Sequence, residues 1–191
     1  MGELKTKTVK GVYWNGIERF STLFVQLVST LIIARMLTPA DFGLIGMLVI
    51  FNALGTVIVD SGFSQALIRK KDATDVDYSS VFYFNVILSF LIYVILVFLS
   101  PAISNFYNTP ELENVAKVSF LAIPINAISI IQMTILQKKM AFKVMAKVSV
   151  ISSVLSGIIG VLLAYYYKNV WALIFQTLFY NSFRSIMFWI Y

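Results

Sequence analysis

The sequence predicts an all-α integral membrane protein, built as a bundle of six transmembrane helices. Hydrophobic residues make up 59% of its 191 residues and charged residues only 13%, whereas a soluble domain carries about 25% charged residues. Residues 78–110 contain no charged side chain, and similar apolar stretches recur along the chain. About 20 apolar residues cross a hydrocarbon core of about 30 Å, and a helix satisfies its own backbone hydrogen bonds there. These three observations predict the fold class.

Long apolar stretches separated by short polar connections define the predicted spans. In chain order they are residues 12–34, 42–68, 81–103, 115–136, 144–167 and 170–191. The first stretch is too long for the apolar region of a signal peptide and contains Glu18 and Arg19, so we expect it to remain in the mature chain.

The connections between the spans carry turn-forming or charged residues. A Thr-Pro pair precedes the second and the fourth span, and a basic cluster followed by acidic residues separates the second from the third. Lysines lie before the fifth span. Three tyrosines and Trp171 mark the turn before the sixth span, as aromatic residues do at a membrane interface.

Lys and Arg are distributed unequally between alternate connections, which predicts the orientation of the chain. The N-terminal segment and the second and fourth connections contain ten: Lys5, Lys7, Lys10, Arg69, Lys70, Lys71, Lys138, Lys139, Lys143 and Lys147. The other connections contain three: Arg35, Lys117 and Lys168. Because cytoplasmic connections retain positive charge, the N-terminus and the even-numbered connections are predicted to be cytoplasmic.

The composition also excludes several classes of function. The chain contains no Cys and no His, which removes disulfides, thiolate and imidazole catalysis, and the usual transition-metal sites within it. The net charge is +6, but the basic residues are scattered between apolar blocks and form no single patch with interleaved aromatic residues. We therefore expect no metal site, no cofactor and no nucleic-acid partner.

Polar side chains recur at helical spacing in four of the spans and predict a shared aqueous cavity. The rows are Asn15, Glu18, Thr22, Gln26 and Ser29 in the first span, Asn52, Thr56, Asp60 and Ser64 in the second, Asn126, Ser129 and Gln132 in the fourth, and Gln176, Tyr180 and Arg184 in the sixth. Residues three or four positions apart lie on one face of a helix. We expect these four faces to turn away from lipid and toward one another.

Four charged residues lie inside the predicted spans, namely Glu18, Arg19, Asp60 and Arg184. An ionised group at the bilayer centre costs at least about 2.5 to 3.5 kcal/mol, so each is expected to face protein or water. Asp60 and Arg184 are favoured as cavity residues, whereas Arg19 is equally consistent with a side chain that reaches the cytoplasmic headgroups. In the fifth span, the small residues between positions 149 and 160 predict close packing of helices.

Five short segments resemble, in order and spacing, segments of one known family. They are residues 35–43 (RMLTPADFG), 60–69 (DSGFSQALIR), 107–112 (YNTPEL), 137–143 (QKKMAFK) and 169–176 (NVWALIFQ). The family is that of the bacterial polysaccharide flippases, the polysaccharide transporter family within the multidrug/oligosaccharidyl-lipid/polysaccharide (MOP) exporter superfamily. The resemblance covers nearly the whole chain.

This resemblance implies a flippase of the bacterial inner membrane. Members move an undecaprenyl-pyrophosphate-linked oligosaccharide from the cytoplasmic to the periplasmic leaflet, in the biosynthesis of lipopolysaccharide, O-antigen, capsule or exopolysaccharide. They have two six-helix lobes around a central cavity, as repeat-built transporters do. Residues 1–191 correspond to the N-terminal lobe, so we expect the chain to be part of a longer protein whose C-terminal lobe is its missing partner.

Nine residues are candidates for the substrate cavity under this interpretation, and none is assigned a catalytic role. Asn15, Gln26, Asn52, Asn126 and Gln132 would offer hydrogen bonds to the headgroup. Arg19 or Arg184 would attract the pyrophosphate as a planar charged donor. Glu18 or Asp60 would take up a proton, or pair with an arginine when the cavity is empty, during alternating access.

Three other functions remain open on the sequence. The first is a multidrug or cation antiporter of the same superfamily, which would favour acidic and aromatic cavity residues. The second is an integral membrane enzyme of envelope polysaccharide synthesis, which usually carries catalytic carboxylates or histidines in sizeable loops. The third is a structural membrane subunit. The short connections and the absence of His favour a transporter over an enzyme.

Overall fold

The protein is an all-helical bundle, as the sequence predicts. The computed structural model describes the backbone of residues 2–191, and the side chains of residue 11 and of residues 13–191. Within that range it contains no strand, and its helices are α1 (Gly2–Ala34), α2 (Pro39–Asp60), α3 (Phe63–Arg69), α4 (Asp75–Phe106), α5 (Glu111–Ser119), α6 (Ala122–Lys138), α7 (Phe142–Tyr167) and α8 (Trp171–Ile190). The side chains of Lys5, Lys7, Lys10 and Val12 lie outside the described residues.

Two predicted spans are each broken into two helices. Between α2 and α3, Ser61 and Gly62 both adopt the left-handed region, with φ of 41° and 77°. Between α5 and α6, the chain turns at Phe120 and Leu121, and Pro124 falls in the first turn of α6, where its missing N–H group is tolerated. Hydropathy does not reveal either break, because apolar residues outnumber the few polar ones around each turn.

Helix caps explain why several helices begin before the predicted spans. The side chains of Thr38 and Asp41 form a reciprocal capping box at the start of α2, and Thr74 and Asp77 do the same at the start of α4. These first turns are polar. A hydropathy pattern therefore marks the later apolar residues 42 and 81 as the start of each span.

Five of the six predicted spans are long and apolar enough to cross a membrane. They are α1 from Tyr13, α2 with α3, α4, α5 with α6, and α7. The sixth predicted span forms α8, a helix of 20 residues that carries Gln176, Asn181 and Arg184 and is not among the helices that meet this requirement. Its crossing of the membrane stays a prediction.

The helices pack in an order that differs from their order in the chain. α1 lies along α7, α7 along α8, α8 along α6 and α6 along α4, while α2 contacts α4, α5 and α6. The largest apolar cluster joins α2, α4, α5 and α8 through residues such as Leu48, Leu112 and Phe120.

The small residues of α7 pack against neighbours on two sides, which confirms the packing role predicted for them. Ser149, Ser152, Ser153, Ser156, Gly157 and Gly160 are all buried. Gly157 faces Ser29 of α1, and a Cβ atom at Gly160 would lie only 2.8 Å from the side chain of Gln176 in α8. Small side chains thus let three helices approach closely.

Candidate functional site

A polar groove lies between α2, α6 and α8, and we refer to it as the α2–α6–α8 groove. It consists of two adjoining cavities that share Thr56 and Asn126. The larger, the Asn52 cavity, has a volume of about 560 Å³, and the smaller, the Asp60 cavity, about 280 Å³. The groove therefore follows α2 over at least two helical turns.

Amide and hydroxyl side chains line the Asn52 cavity among apolar residues. Its polar members are Asn52, Thr56, Ser119, Asn126, Thr177 and Asn181. The Asn52 side chain donates a hydrogen bond from Nδ2 to Ser119 Oγ at 3.0 Å, which joins α2 to the last residue of α5. Its carbonyl oxygen Oδ1 is buried and has no partner within the described residues. A buried acceptor without a partner is costly, so this oxygen would gain from any hydrogen-bond donor that reaches it.

The Asp60 cavity contains both a carboxylate and a guanidinium. Its polar members are Thr56, Asp60, Ser64, Gln65, Asn126, Ser129, Thr134, Gln137 and Arg184. The carboxylate Oδ1 of Asp60 accepts a hydrogen bond of 2.5 Å from Ser64 Oγ, one turn later in the chain, across the break between α2 and α3. The two ion pairs found in the described part of the chain are Lys70–Asp77 and Lys117–Glu113, so Asp60 and Arg184 are not paired with each other.

Arg184 is a cation without an oxygen acceptor among the described residues. Its Nη2 donates to the sulfur of Met133 at 2.9 Å, and its guanidinium carbon lies 5.5 Å from the ring centroid of Phe188. Its Nε is buried and has no hydrogen-bond partner in the same part of the chain. A thioether is a weak acceptor, so most of the donor capacity of this side chain remains unused.

Helix lengths predict the depths of the two charged groups in a membrane. Positions 171 and 184 are 13 residues apart on α8, which is about 20 Å at 1.5 Å per residue. Asp60 is the last of the 22 residues of α2, and such a helix is about 33 Å long, against a hydrocarbon core of about 30 Å. On the predicted crossing of α8, Arg184 is expected to be the more deeply embedded charge, and an untilted α2 would bring Asp60 to the membrane boundary opposite Pro39.

The structure brings four of the nine predicted cavity residues together and separates the others. Asn52, Asp60, Asn126 and Arg184 line the groove. Glu18 lies instead between α1 and α7, where its Oε1 accepts a hydrogen bond of 2.6 Å from Ser149 Oγ. Three polar residues of α1 are exposed on the surface of the bundle and do not line the groove: Asn15, Arg19 and Gln26.

The structure differs from two of the polar rows that helical spacing predicts, those of the fourth and the sixth span. Gln132 lines neither cavity, and its spacing places it on the α6 face that also carries Ile125 and Ile128. Gln176 points toward α1, where its Nε2 donates to Ser29 Oγ at 3.2 Å. The row on α8 that lines the groove is Thr177, Asn181 and Arg184. Spacings of four and three residues in this row are the sequence signal for this face of α8.

Among the described residues, no group of three or more His, Asp, Glu or Cys side chains is arranged to hold a metal ion. The groove offers amide, hydroxyl and guanidinium donors together with a single carboxylate. Such an arrangement can hold a polar, anionic group through hydrogen bonds inside an otherwise apolar bundle.

The chain matches a known protein family. The profile of a family described as "Polysaccharide biosynthesis protein" matches residues 32–191. This region includes α2 to α8 and therefore the whole groove.

Several curated proteins resemble the chain over most of its length. The teichuronic acid biosynthesis protein TuaB of Bacillus subtilis is 26% identical over 189 residues, which are 99% of this chain and 39% of the relative. The succinoglycan biosynthesis transport protein ExoT of Rhizobium meliloti is 25% identical over 174 residues, 91% of this chain and 35% of the relative. The lipopolysaccharide biosynthesis protein WzxC of Escherichia coli is 27% identical over 124 residues, 63% of this chain and 25% of the relative.

The chain thus spans between 25% and 39% of the length of these three relatives. No solved structure matches the chain significantly. The apolar helices, together with a relative named as a transport protein, identify it as a multi-pass membrane protein.

Proposed function

Because the chain belongs to the polysaccharide biosynthesis protein family, we propose that it is the N-terminal lobe of a flippase for lipid-linked oligosaccharides. The substrate class is an undecaprenyl-pyrophosphate-linked oligosaccharide, and the mechanism is alternating access. The protein acts as a transporter and not as an enzyme. It lies in the bacterial inner membrane with its N-terminus in the cytoplasm.

The observation that carries this proposal is the unused donor capacity of Arg184 in the wall of a polar groove. A flippase must take a sugar and a pyrophosphate past hydrocarbon while the lipid tail stays outside. Arg184 is half-buried, and its Nε has no partner in the described part of the chain; a guanidinium of this kind can bind a phosphate oxygen through a short, charge-assisted hydrogen bond. Within the described residues, its present contacts are a sulfur and an aromatic ring, which an anionic oxygen would readily replace.

The remaining groove residues suit the sugar part of the substrate. Asn52, Asn126 and Asn181 each carry both a donor and an acceptor, as do the hydroxyl groups of a sugar. Asp60 lines the same cavity as Arg184 and is proposed to serve as its counterion when no substrate is bound. Arg184 would pair with the carboxylate when the cavity is empty and with the pyrophosphate when substrate is bound. This change of partner would alter the relative free energies of the conformations of the transporter.

The exposed polar face of α1 is an argument for a second lobe in the full-length protein. Asn15, Arg19 and Gln26 lie on one side of α1 and are solvent-exposed in the bundle. A polar row of this kind is costly against hydrocarbon. We propose that it faces the C-terminal lobe of the full-length protein across a central aqueous cavity, and that Arg19 adds positive charge there.

Transport of a lipid-linked oligosaccharide into vesicles that contain the full-length protein tests the proposal. Arg184→Ala is expected to reduce the rate by at least tenfold, and Arg184→Lys to restore it in part, because lysine keeps the charge but not the planar pair of donors. Arg69→Ala is the matched control, since Arg69 is exposed at the end of α3. Wild-type rates in both Arg184 variants would contradict the assignment.

The same vesicles distinguish the flippase from the competing antiporter. A multidrug or cation antiporter would export a cationic dye, and Asp60→Asn would abolish that export. We expect no dye export from the wild-type protein. Dye export that depends on Asp60, without oligosaccharide transport, would replace the flippase by the antiporter.

A further inference from the structure

An apolar groove runs along the outside of the bundle between α1 and α7, and we refer to it as the α1–α7 groove. Its volume is about 390 Å³. Its walls include Phe24, Val28 and Ile32 from α1 and Val154, Ile158 and Leu162 from α7. The hydroxyl of Ser29, which also reaches the wall, is already engaged, because it donates to the Gln26 carbonyl and accepts from Gln176. The groove therefore offers an occupant almost nothing but hydrocarbon surface.

The α1–α7 groove faces away from the polar side of α1. A helix turns by about 100° per residue, so Asn15, Arg19 and Gln26 lie within about 40° of one another. Measured around the α1 axis, Phe24 and Val28 lie about 180° and 220° from Asn15. Between the side of Asn15 and the side of Val28 lies the face of α1 that contacts α7. The polar side is suited to water or a second lobe. The opposite side, which carries the groove, is suited to the lipid bilayer.

The length of the groove corresponds to one leaflet. From Phe24 to Ile32 the wall extends over eight residue steps of α1, about 12 Å. Half of a hydrocarbon core of about 30 Å is about 15 Å. One acyl chain of a bilayer lipid thus matches the groove in depth as well as in polarity.

A cationic and an aromatic polar side chain lie at the end of the groove near the membrane boundary. Arg35 follows the last residue of α1, three positions after Ile32, and Tyr165 is three positions after Leu162 on α7. Both are exposed. Within the described residues, neither ion pair involves Arg35. Its guanidinium is therefore free to bind an anion at the level of the lipid headgroups.

We propose that the α1–α7 groove is a binding site for a bilayer phospholipid in the leaflet that contains Arg35. One acyl chain lies in the groove, and the phosphate binds to the guanidinium of Arg35, with the Tyr165 hydroxyl as a second donor. This site is separate from the α2–α6–α8 groove and does not depend on the proposed substrate. It requires only that the bundle is embedded in a membrane.

Photochemical labelling of the full-length protein in vesicles tests the site. The probes are a phosphatidylglycerol with a diazirine in its acyl chain and a diacylglycerol with the same chain but no phosphate. We expect peptides that contain residues 24–32 and 154–162 to be labelled by phosphatidylglycerol more strongly than the exposed face of α4 around Ile87 and Leu91. Arg35→Ala should lower the phosphatidylglycerol label about fivefold, the effect of one basic residue near an anionic lipid, and leave the diacylglycerol label unchanged.

Further variants distinguish the contribution of the apolar groove to lipid labelling from that of the Arg35 charge. Val28→Trp fills the groove and should lower the label from both lipids, whereas Leu23→Trp, on the other side of α1 and 57% exposed, should lower neither. Lys168→Ala is the control for Arg35, because Lys168 is exposed in another connection at the same end of the bundle.

Three outcomes would overturn the proposal. One is labelling of the groove peptides no stronger than that of the α4 face, and another is a phosphatidylglycerol label that does not respond to Arg35→Ala. The third is displacement of the label by an unlabelled polyprenyl phosphate at concentrations where unlabelled phosphatidylglycerol has no effect, which would assign the groove to the tail of a transport substrate.

Discussion

Arg184 carries a charge about 20 Å from the start of α8 without an oxygen partner in the part of the chain that the structure describes. Burial of a charge in a membrane costs at least about 2.5 to 3.5 kcal/mol. The contact with the Phe188 ring offsets about 0.5 to 2 kcal/mol of this cost. The remaining cost is consistent with a residue that is kept for binding, since a Leu at the same position would fill the space without the penalty.

Glu18 differs from Arg184, because its carboxylate has a hydrogen-bond partner on another helix. The hydrogen bond from Ser149 joins two helices whose residues are 131 positions apart. It fixes the lengthwise position of α1 against α7, along the row of small residues that lets the two helices approach. Glu18 is thus better explained by helix association than by substrate binding.

Loss of this hydrogen bond should weaken the contact between α1 and α7. A double-mutant cycle with Glu18→Ala and Ser149→Ala is expected to give a coupling free energy of about 0.6 kcal/mol and at most about 1.7 kcal/mol, the range for hydrogen bonds between membrane helices. The measurement is unfolding of the full-length protein in detergent. Ser153→Ala serves as the control in place of Ser149→Ala, because the Ser153 hydroxyl bonds to the Val150 carbonyl of its own helix. Fully additive effects of Glu18→Ala and Ser149→Ala would show that the contact contributes nothing.

At the scale of the helices, the break between α2 and α3 shapes one end of the groove. Gly62 lies at φ of 77°, where residues with a Cβ atom are strained, and it lets α3 turn back against α6. The Lys138 ammonium then donates to the carbonyls of Leu67 and Lys70 at 3.1 and 2.6 Å, which satisfies the C-terminal end of α3. The position of Ser64 and Gln65 in the Asp60 cavity follows from this turn.

Close packing of α7 and α8 predicts a difference between two glycines. A Cβ atom at Gly160 would lie 2.8 to 2.9 Å from three atoms of Gln176, whereas one at Gly46 would meet nothing within 4 Å. Gly160→Ala should therefore destabilise the protein by about 1 to 3 kcal/mol through overpacking. Gly46→Ala should be neutral or stabilising by up to about 1 kcal/mol, because alanine favours the helix. Thermal unfolding in detergent compares the two, and equal effects would argue against close contact between α7 and α8.

For the whole molecule, the unequal distribution of Lys and Arg predicts which side faces the cytoplasm. The chain has no Cys, so single cysteines can be introduced without background. In intact cells, a membrane-impermeant thiol reagent should label Asn108→Cys and fail to label Asp72→Cys, because the third connection is predicted to be periplasmic and the second cytoplasmic. Both positions are exposed, and both should react after the membrane is permeabilised. The reverse pattern in intact cells would invert the orientation.

The packing order of the helices decides which polar rows meet. The row on the second span, most of the row on the fourth span and Arg184 of the sixth span line the α2–α6–α8 groove. In contrast, α1 packs on the far side of α7, and its polar face does not reach this groove. Helical spacing shows which residues share a face of one helix. It contains no information on which other helix that face will contact.

The sequence by itself determined the class of the protein and the family, because hydropathy, short connections and local motifs are properties of neighbouring residues. It also predicted polar faces that carry Asn52, Asp60, Asn126 and Arg184, and these four residues line the α2–α6–α8 groove. Only the tertiary structure decided that Glu18 bonds to Ser149, that Gln176 points away from Arg184, and that an apolar groove ends near Arg35. These features depend on contacts between residues more than 100 positions apart, and a periodic pattern within one helix does not encode them.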